Sequence, residues 1–209
     1  QRRCFYYLTG CALADSYLTY DINTEKSILY IPPVDPSRVI WCGLPVSPLQ
    51  ALSLYDVDEV RTSDQINQVL ADLKADRLWA ISNQISEQIK LPKYCRTDFI
   101  LLKKAIDECR VVKDPFEIAL IRKANFISTI AHHAVLKAAK HSNNERELFA
   151  IFLEKCISSG AIEQAYPPIV ASGSAAATLH YVQNNQNLNG NLNVLLDAGA
   201  EYNCYASDI

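Results

Sequence analysis

The chain has 209 residues, 49% hydrophobic and 21% charged, the balance of a globular protein long enough to bury a core. A net charge of −3 advertises neither nucleic acid nor an anionic membrane as a partner. No apolar stretch reaches the roughly 18 residues that a bilayer span needs.

The basic and then aromatic opening, Gln1-Arg2-Arg3-Cys4-Phe5, lacks an h-region and predicts no signal peptide. No Met occurs anywhere in the chain, so the native start is expected upstream. Residues 5–8 read as a strand ending at Thr9-Gly10, residues 16–20 as a second and 27–31 as a third, stopped by Pro32-Pro33. Together they predict an antiparallel meander. Ser47-Pro48 opens a helix to about residue 55, Ser63 or Asp64 caps another through residue 73, and residues 77–81 form a strand. This first part is expected to be a mixed α/β domain.

A boundary is expected near residues 109–113, dividing the chain into domains 1–109 and 110–209. Beyond it, Asp114, Pro115 and Glu117 make a capping box at the head of a long helix to about residue 140. Ser142 and Glu145 repeat the S-x-x-E pattern for a second helix, closed by Gly160 at C′. Two long helices joined tightly should pack antiparallel. Residues 166–173 read as extended, 178–182 as a short strand and 183–193 as an exposed Asn-rich loop. Residues 193–197 read as a buried strand, with 203–208 as its partner.

The residues that carry chemistry lie in this last segment. Asp197 ends one strand and Asp208 the next. A turn at Tyr202-Asn203 would set the two directly opposite each other on one face. Ionised carboxylates so placed repel, and a divalent cation between them removes the penalty. Their hard oxygens suit Mn²⁺ or Mg²⁺ and tolerate Zn²⁺ or Co²⁺. Spacing alone leaves open a plainer reading, in which the two aspartates cap turns. His132, His133 and His141 read as structural. The seven cysteines include no C-x-x-C pair and read as reduced thiols of a cytoplasmic protein.

Four stretches in combination resemble the pita-bread metallopeptidases, the group of aminopeptidase P, prolidase, methionine aminopeptidase and creatinase. They are Ala165-Tyr166-Pro167-Pro168-Ile169-Val170-Ala171-Ser172-Gly173, Leu179-His180-Tyr181, Leu196-Asp197-Ala198-Gly199-Ala200 and Tyr205-Ala206-Ser207-Asp208-Ile209. Upstream, Arg110 to Asp114 and Glu117 to Asn125 are similar to the entry to that domain in the Xaa-Pro branch. Phe5 to Gly10 and Val39 to Pro45 are similar to fungal prolidase-like proteins.

The resemblance implies an α/β (α+β) chain: a creatinase-like mixed-sheet domain followed by the first part of a pita-bread catalytic domain. It implies that Asp197 binds one metal, that Asp208 bridges two Mn²⁺ ions (Zn²⁺ or Co²⁺ being alternatives), and that His180 lines the site as a catalytic residue. It implies an Xaa-Pro aminopeptidase acting on proline-containing peptides, cytoplasmic and homodimeric, with no nucleic-acid or membrane partner. A prolidase-type dipeptidase stays open beside it. In such enzymes the metals acidify the attacking water and stabilise the transition state. The family's remaining His and two Glu ligands have no match before Ile209, so they are expected downstream, and the chain alone is expected to bind metal weakly and to cleave nothing. Two further readings remain: a non-catalytic pita-bread binding module and a creatinase-like hydrolase. The retained acid pair counts against both.

Overall fold

The computed structural model describes residues 2–73, 75–190 and 193–209. The backbone divides into two units, residues 1–111 and 112–209.

The first unit opens with a helix, α1 (Arg2–Thr9), where a strand was expected. A four-residue aromatic run fits either element, and here burial of Cys4 and Thr9 selects the helix. Gly10, at φ +65°, ends it by donating to the Tyr6 carbonyl at 2.7 Å, the usual work of a C′ glycine. Strands β1 (Tyr17–Asp21) and β2 (Lys26–Ile31) pair antiparallel. After α2 (Pro36–Cys42) and α3 (Pro48–Leu54), strand β3 (Glu59–Thr62) joins β2 in parallel, so the sheet is mixed rather than a meander. Its central strand is buried on both faces. Leu29 and Ile31 pack with Cys11 and Ala51, and Tyr30 packs oppositely with Ile66 and Leu70 of α4 (Ile66–Asp72). A parallel pair, β4 (Arg77–Trp79) and β5 (Arg96–Asp98), precedes α5 (Leu101–Cys109).

The second unit is built on α6 (Pro115–Ala138). Asp114 and Glu117 form a complete capping box at its N-terminus, with Pro115 in the first turn. Helix α7 (Glu145–Ser158) follows, capped by Asn144, whose side chain accepts from the Arg146 N–H. The cap is thus two residues later than the S-x-x-E pattern predicted, and Glu145 is freed for another role. Ile127, Ala131 and Val135 of α6 pack with Leu148, Phe152 and Cys156 of α7, and Val170 and Ala200 of the strands, with Ala198 between two of them, close the core. The strands are β6 (Glu163–Gln164), β7 (Ile169–Ser172), β8 (Val194–Asp197), β9 (Ala200–Tyr202) and β10 (Tyr205–Ala206).

The ladder partner of β8 is β7, with Ile169 opposite Asp197, and not the segment 203–208. Residues 178–182 form no strand. The expected Asn-rich loop is anchored rather than simply exposed. Asn184 is buried, accepts from Val170 N–H at 2.7 Å and donates to the Pro168 carbonyl at 2.9 Å. These side-chain bonds replace ladder bonds at the β7 edge. Asn191 and Leu192 of that loop lie outside the described residues. Among the described residues no helix is long and apolar enough to cross a membrane.

Replacing Asp114 by Ala removes the α6 cap. It is expected to cost about 1 kcal/mol, read as a lower denaturant midpoint with an unchanged slope.

Candidate metal-binding site on the β8–β10 hairpin

The segment after β8 bends at Ala198-Gly199, continues as β9 and returns as β10. Asn203 and Cys204, at φ +47° and +66°, make a two-residue turn of the type that needs positive φ at both centres. The turn therefore sits one residue later than Tyr202-Asn203. Tyr205 pairs with Tyr202, and Ala206 with Glu201. The ladder continues as Ser207 N–H to the Ala200 carbonyl at 3.0 Å and Ala198 N–H to the Ile209 carbonyl at 3.1 Å. Asp208 accordingly lies across from Gly199, and Asp197 stands diagonal to it, two positions away. A slip of two residues preserves side-chain parity, so the acids stay on one face, in reach of each other but not directly opposed.

Tyr166 marks where they converge. Burial first, and then the neighbouring carboxylates of Asp197 and Asp208, push its phenol above the ordinary range. The group is therefore a neutral hydroxyl beside the two acids, and it donates to the Ile209 carbonyl at 3.4 Å. Its oxygen also accepts from the Ile209 N–H at 3.4 Å. The β6–β9 pairing brings Tyr166 there, with Gln164 opposite Ala200 and Ala165 N–H donating to the Gly199 carbonyl at 2.9 Å. Asp197 is half-buried and Asp208 exposed.

Gly199 makes this convergence sterically possible. A Cβ on it would lie 2.0 Å from the Ser207 carbonyl oxygen and 3.1 Å from the Tyr166 ring. Helix α6 fastens the same hairpin from behind. The His132 Nε2–H donates to the Ala198 carbonyl at 2.8 Å, and the His132 ring stands edge-on to Phe152. Buried Ser128 accepts from the Ala200 N–H at 2.9 Å and shares a hydrogen bond with the buried Ser207 hydroxyl. Near the head of the helix, Glu117 accepts from the Tyr205 hydroxyl at 2.8 Å.

His180 lies on an exposed turn after a 3₁₀ helix (Gly173–Ala177). What fixes that turn is Glu145, a fully buried carboxylate. It accepts from the Ser172 N–H and hydroxyl at 2.7 and 2.8 Å, the Tyr181 hydroxyl at 2.8 Å and the Gln186 N–H at 2.9 Å. Burial pushes the carboxyl up, but the donors, led by Gln186 N–H, outweigh it and hold its pKa below the usual value.

Sequence reasoning missed Tyr166 and Glu145 and gave the helix residues no role at the site. Tyr166 lies in a motif that reads as extended, and Glu145 reads as a cap partner. Only the fold brings Ser128 and His132 to residues some seventy positions away.

Two aspartates supply hard oxygen donors of the kind divalent cations select, and the donor set fits a metal. Among the described residues no group of three or more His, Cys, Asp or Glu side chains forms a cage, so the pair by itself offers only part of the donors a divalent cation takes.

Comparison with known proteins follows the same division. Residues 119–209 match metallopeptidase family M24, and residues 1–79 match the aminopeptidase P N-terminal domain. The second part of the chain is thus similar to the M24 metallopeptidases and the first part to the N-terminal domain of aminopeptidase P. It is 61% identical over its whole length to the "Probable Xaa-Pro aminopeptidase pepP" of Botryotinia fuckeliana, covering 46% of that protein. It is 62% identical to the counterpart in Sclerotinia sclerotiorum, covering 38%. All of it superposes on aminopeptidase P from E. coli bound to the inhibitor Pro-Leu, with a TM-score of 0.85, 27% identity and 52% of that chain covered. The Yersinia pestis proline aminopeptidase P II gives 0.80 at 28% identity. The chain thus spans about half the length of the relatives it matches.

Gly199→Ala is expected to open the hairpin and lower the melting temperature by about 5 °C or more. Glu145→Gln, which turns two acceptor oxygens into one, is expected to cost about 2–3 kcal/mol near neutral pH. Because the folded pKa lies below the unfolded value near 4.5, the carboxylate's contribution is complete above that pH. It is lost as pH falls through the lower folded value. Thermal melts between pH 7 and 3 should therefore converge for the two proteins on the acid side.

Proposed function

We propose that this chain carries the N-terminal domain and the first metal-ligand segment of a metal-dependent Xaa-Pro aminopeptidase. Residues 1–109 form the aminopeptidase P-type domain and 110–209 the start of the catalytic domain. The observation that carries the proposal is the hairpin register that brings Asp197 and Asp208 together beside Tyr166, in a chain whose relatives are named for this activity.

In this reading Asp197 and Asp208 would hold the divalent cations, with further donors supplied by the rest of the full-length protein. Mn²⁺ is the favoured ion by the hardness of the donors; relatives include a zinc-substituted E. coli aminopeptidase P. Once bound, the metals supply Lewis acidity and an acidified water. The chain's own residues prepare that chemistry. Asp197 and Asp208 furnish charge, Tyr166 stands beside them as a neutral hydroxyl, and Glu145 sets the turn from which His180 contacts substrate. The substrate is a peptide with proline in second position, and the full-length protein is a cytoplasmic homodimer.

The test uses the full-length gene product with Mn²⁺. It should release the N-terminal residue from peptides with proline second, and not from matched peptides with alanine there. Asp208→Asn should lower kcat at least about 100-fold, since metal stabilisation supplies several kcal/mol. If only Xaa-Pro dipeptides are split, the enzyme is a prolidase. If Mn²⁺ changes neither melting temperature nor turnover, the protein is a binding module.

A further inference from the structure

Both candidate metal-ligating aspartates have immediate neighbours tied to a single turn of α6. Ala198, next to Asp197, gives its carbonyl to His132 at 2.8 Å. Ser207, next to Asp208, shares a hydrogen bond with Ser128, which also takes the Ala200 N–H at 2.9 Å. Ser128 and His132 are four residues apart and so share one helix face. Ser128 has no exposed surface, and Ser207 retains 3%. Burying hydroxyls in this packed core is unfavourable unless each is satisfied, and here they satisfy one another across the two strands.

We propose that Ser128 and His132 are positioning residues that fix the separation of Asp197 and Asp208, and thereby set the divalent-metal affinity of the site. Neither touches the metal. The Ala198 carbonyl cannot donate, so His132 must hold its proton on Nε2, and that N–H locates the bend from which Asp197 projects. Ser128 bolts the outgoing strand to the returning one beside Asp208. Together the two bonds hold both sides of the hairpin to one helix face. Loss of such supporting bonds typically weakens metal binding 10–100-fold.

The inference rests on the two aspartates being metal ligands, and the experiment separates the two ideas. Mn²⁺ is titrated calorimetrically into full-length protein, well below each variant's melting temperature, with bound metal counted by elemental analysis. His132→Phe keeps the ring against Phe152 and removes the donor; Ser128→Ala removes one oxygen. Each is expected to raise the Mn²⁺ Kd by about 10–100-fold, and His132→Gln, which restores an N–H at a similar reach, to recover most of it. If His132→Phe does not fold, Ser128→Ala decides, since alanine is compatible with the helix. Variants that melt earlier yet bind Mn²⁺ within twofold of the parent overturn the proposal, because the residues then serve stability only. If Asp197→Asn also binds as the parent does, the metal-ligand reading itself is overturned. If Asp197→Asn loses Mn²⁺ while Ser128→Ala keeps it, the positioning role alone is overturned.

Discussion

The second unit depends on one constraint: a long helix grips the hairpin that carries Asp197 and Asp208. Glu117, Ser128 and His132 bond to Tyr205, to Ser207 and Ala200, and to Ala198 respectively. Each contact joins α6 to residues 66 to 88 positions away. The polar bonds fix register, and the apolar set of Ile127, Ala131 and Val135 against α7 supplies the burial that holds the helix in place. Removing any of the polar partners leaves a buried group unsatisfied, which costs more than the bond gained on folding.

The same economy of buried polar groups organises the loop that bears His180. Glu145 is ionised although fully buried, because four donors surround it. It belongs to the first turn of α7, where the helix dipole also favours a negative charge. The carboxylate thus joins helix, strand and loop at one point. No comparable set of donors surrounds Asp197 and Asp208 among the described residues, which leaves their oxygens open to the cation proposed above.

Much of the local structure was legible in the chain. The α6 capping box, the Ser47-Pro48 helix start, strands β1, β2 and β8 and the Gly160 helix end follow from short-range rules that turn on a few neighbouring side chains. Helix α1 and the non-strand at 178–182 went the other way. Short aromatic runs carry no decisive period, and contacts with distant residues chose between the alternatives. The mixed sheet of the first unit was out of reach for a related reason: β3 reaches β2 by a parallel connection across nearly thirty residues.

The sequence by itself carried the motifs and set Asp197 and Asp208 at matching parity on either side of the turn, because parity survives a register slip of two. The tertiary structure decided the rest. The positive-φ turn at Asn203-Cys204 set the true register, and the glycine at 199 let two backbones approach closer than any Cβ permits. Tyr166 was placed beside the acids by a strand pairing with β9. These depend on where separate segments meet in space, and no periodicity along the chain encodes that.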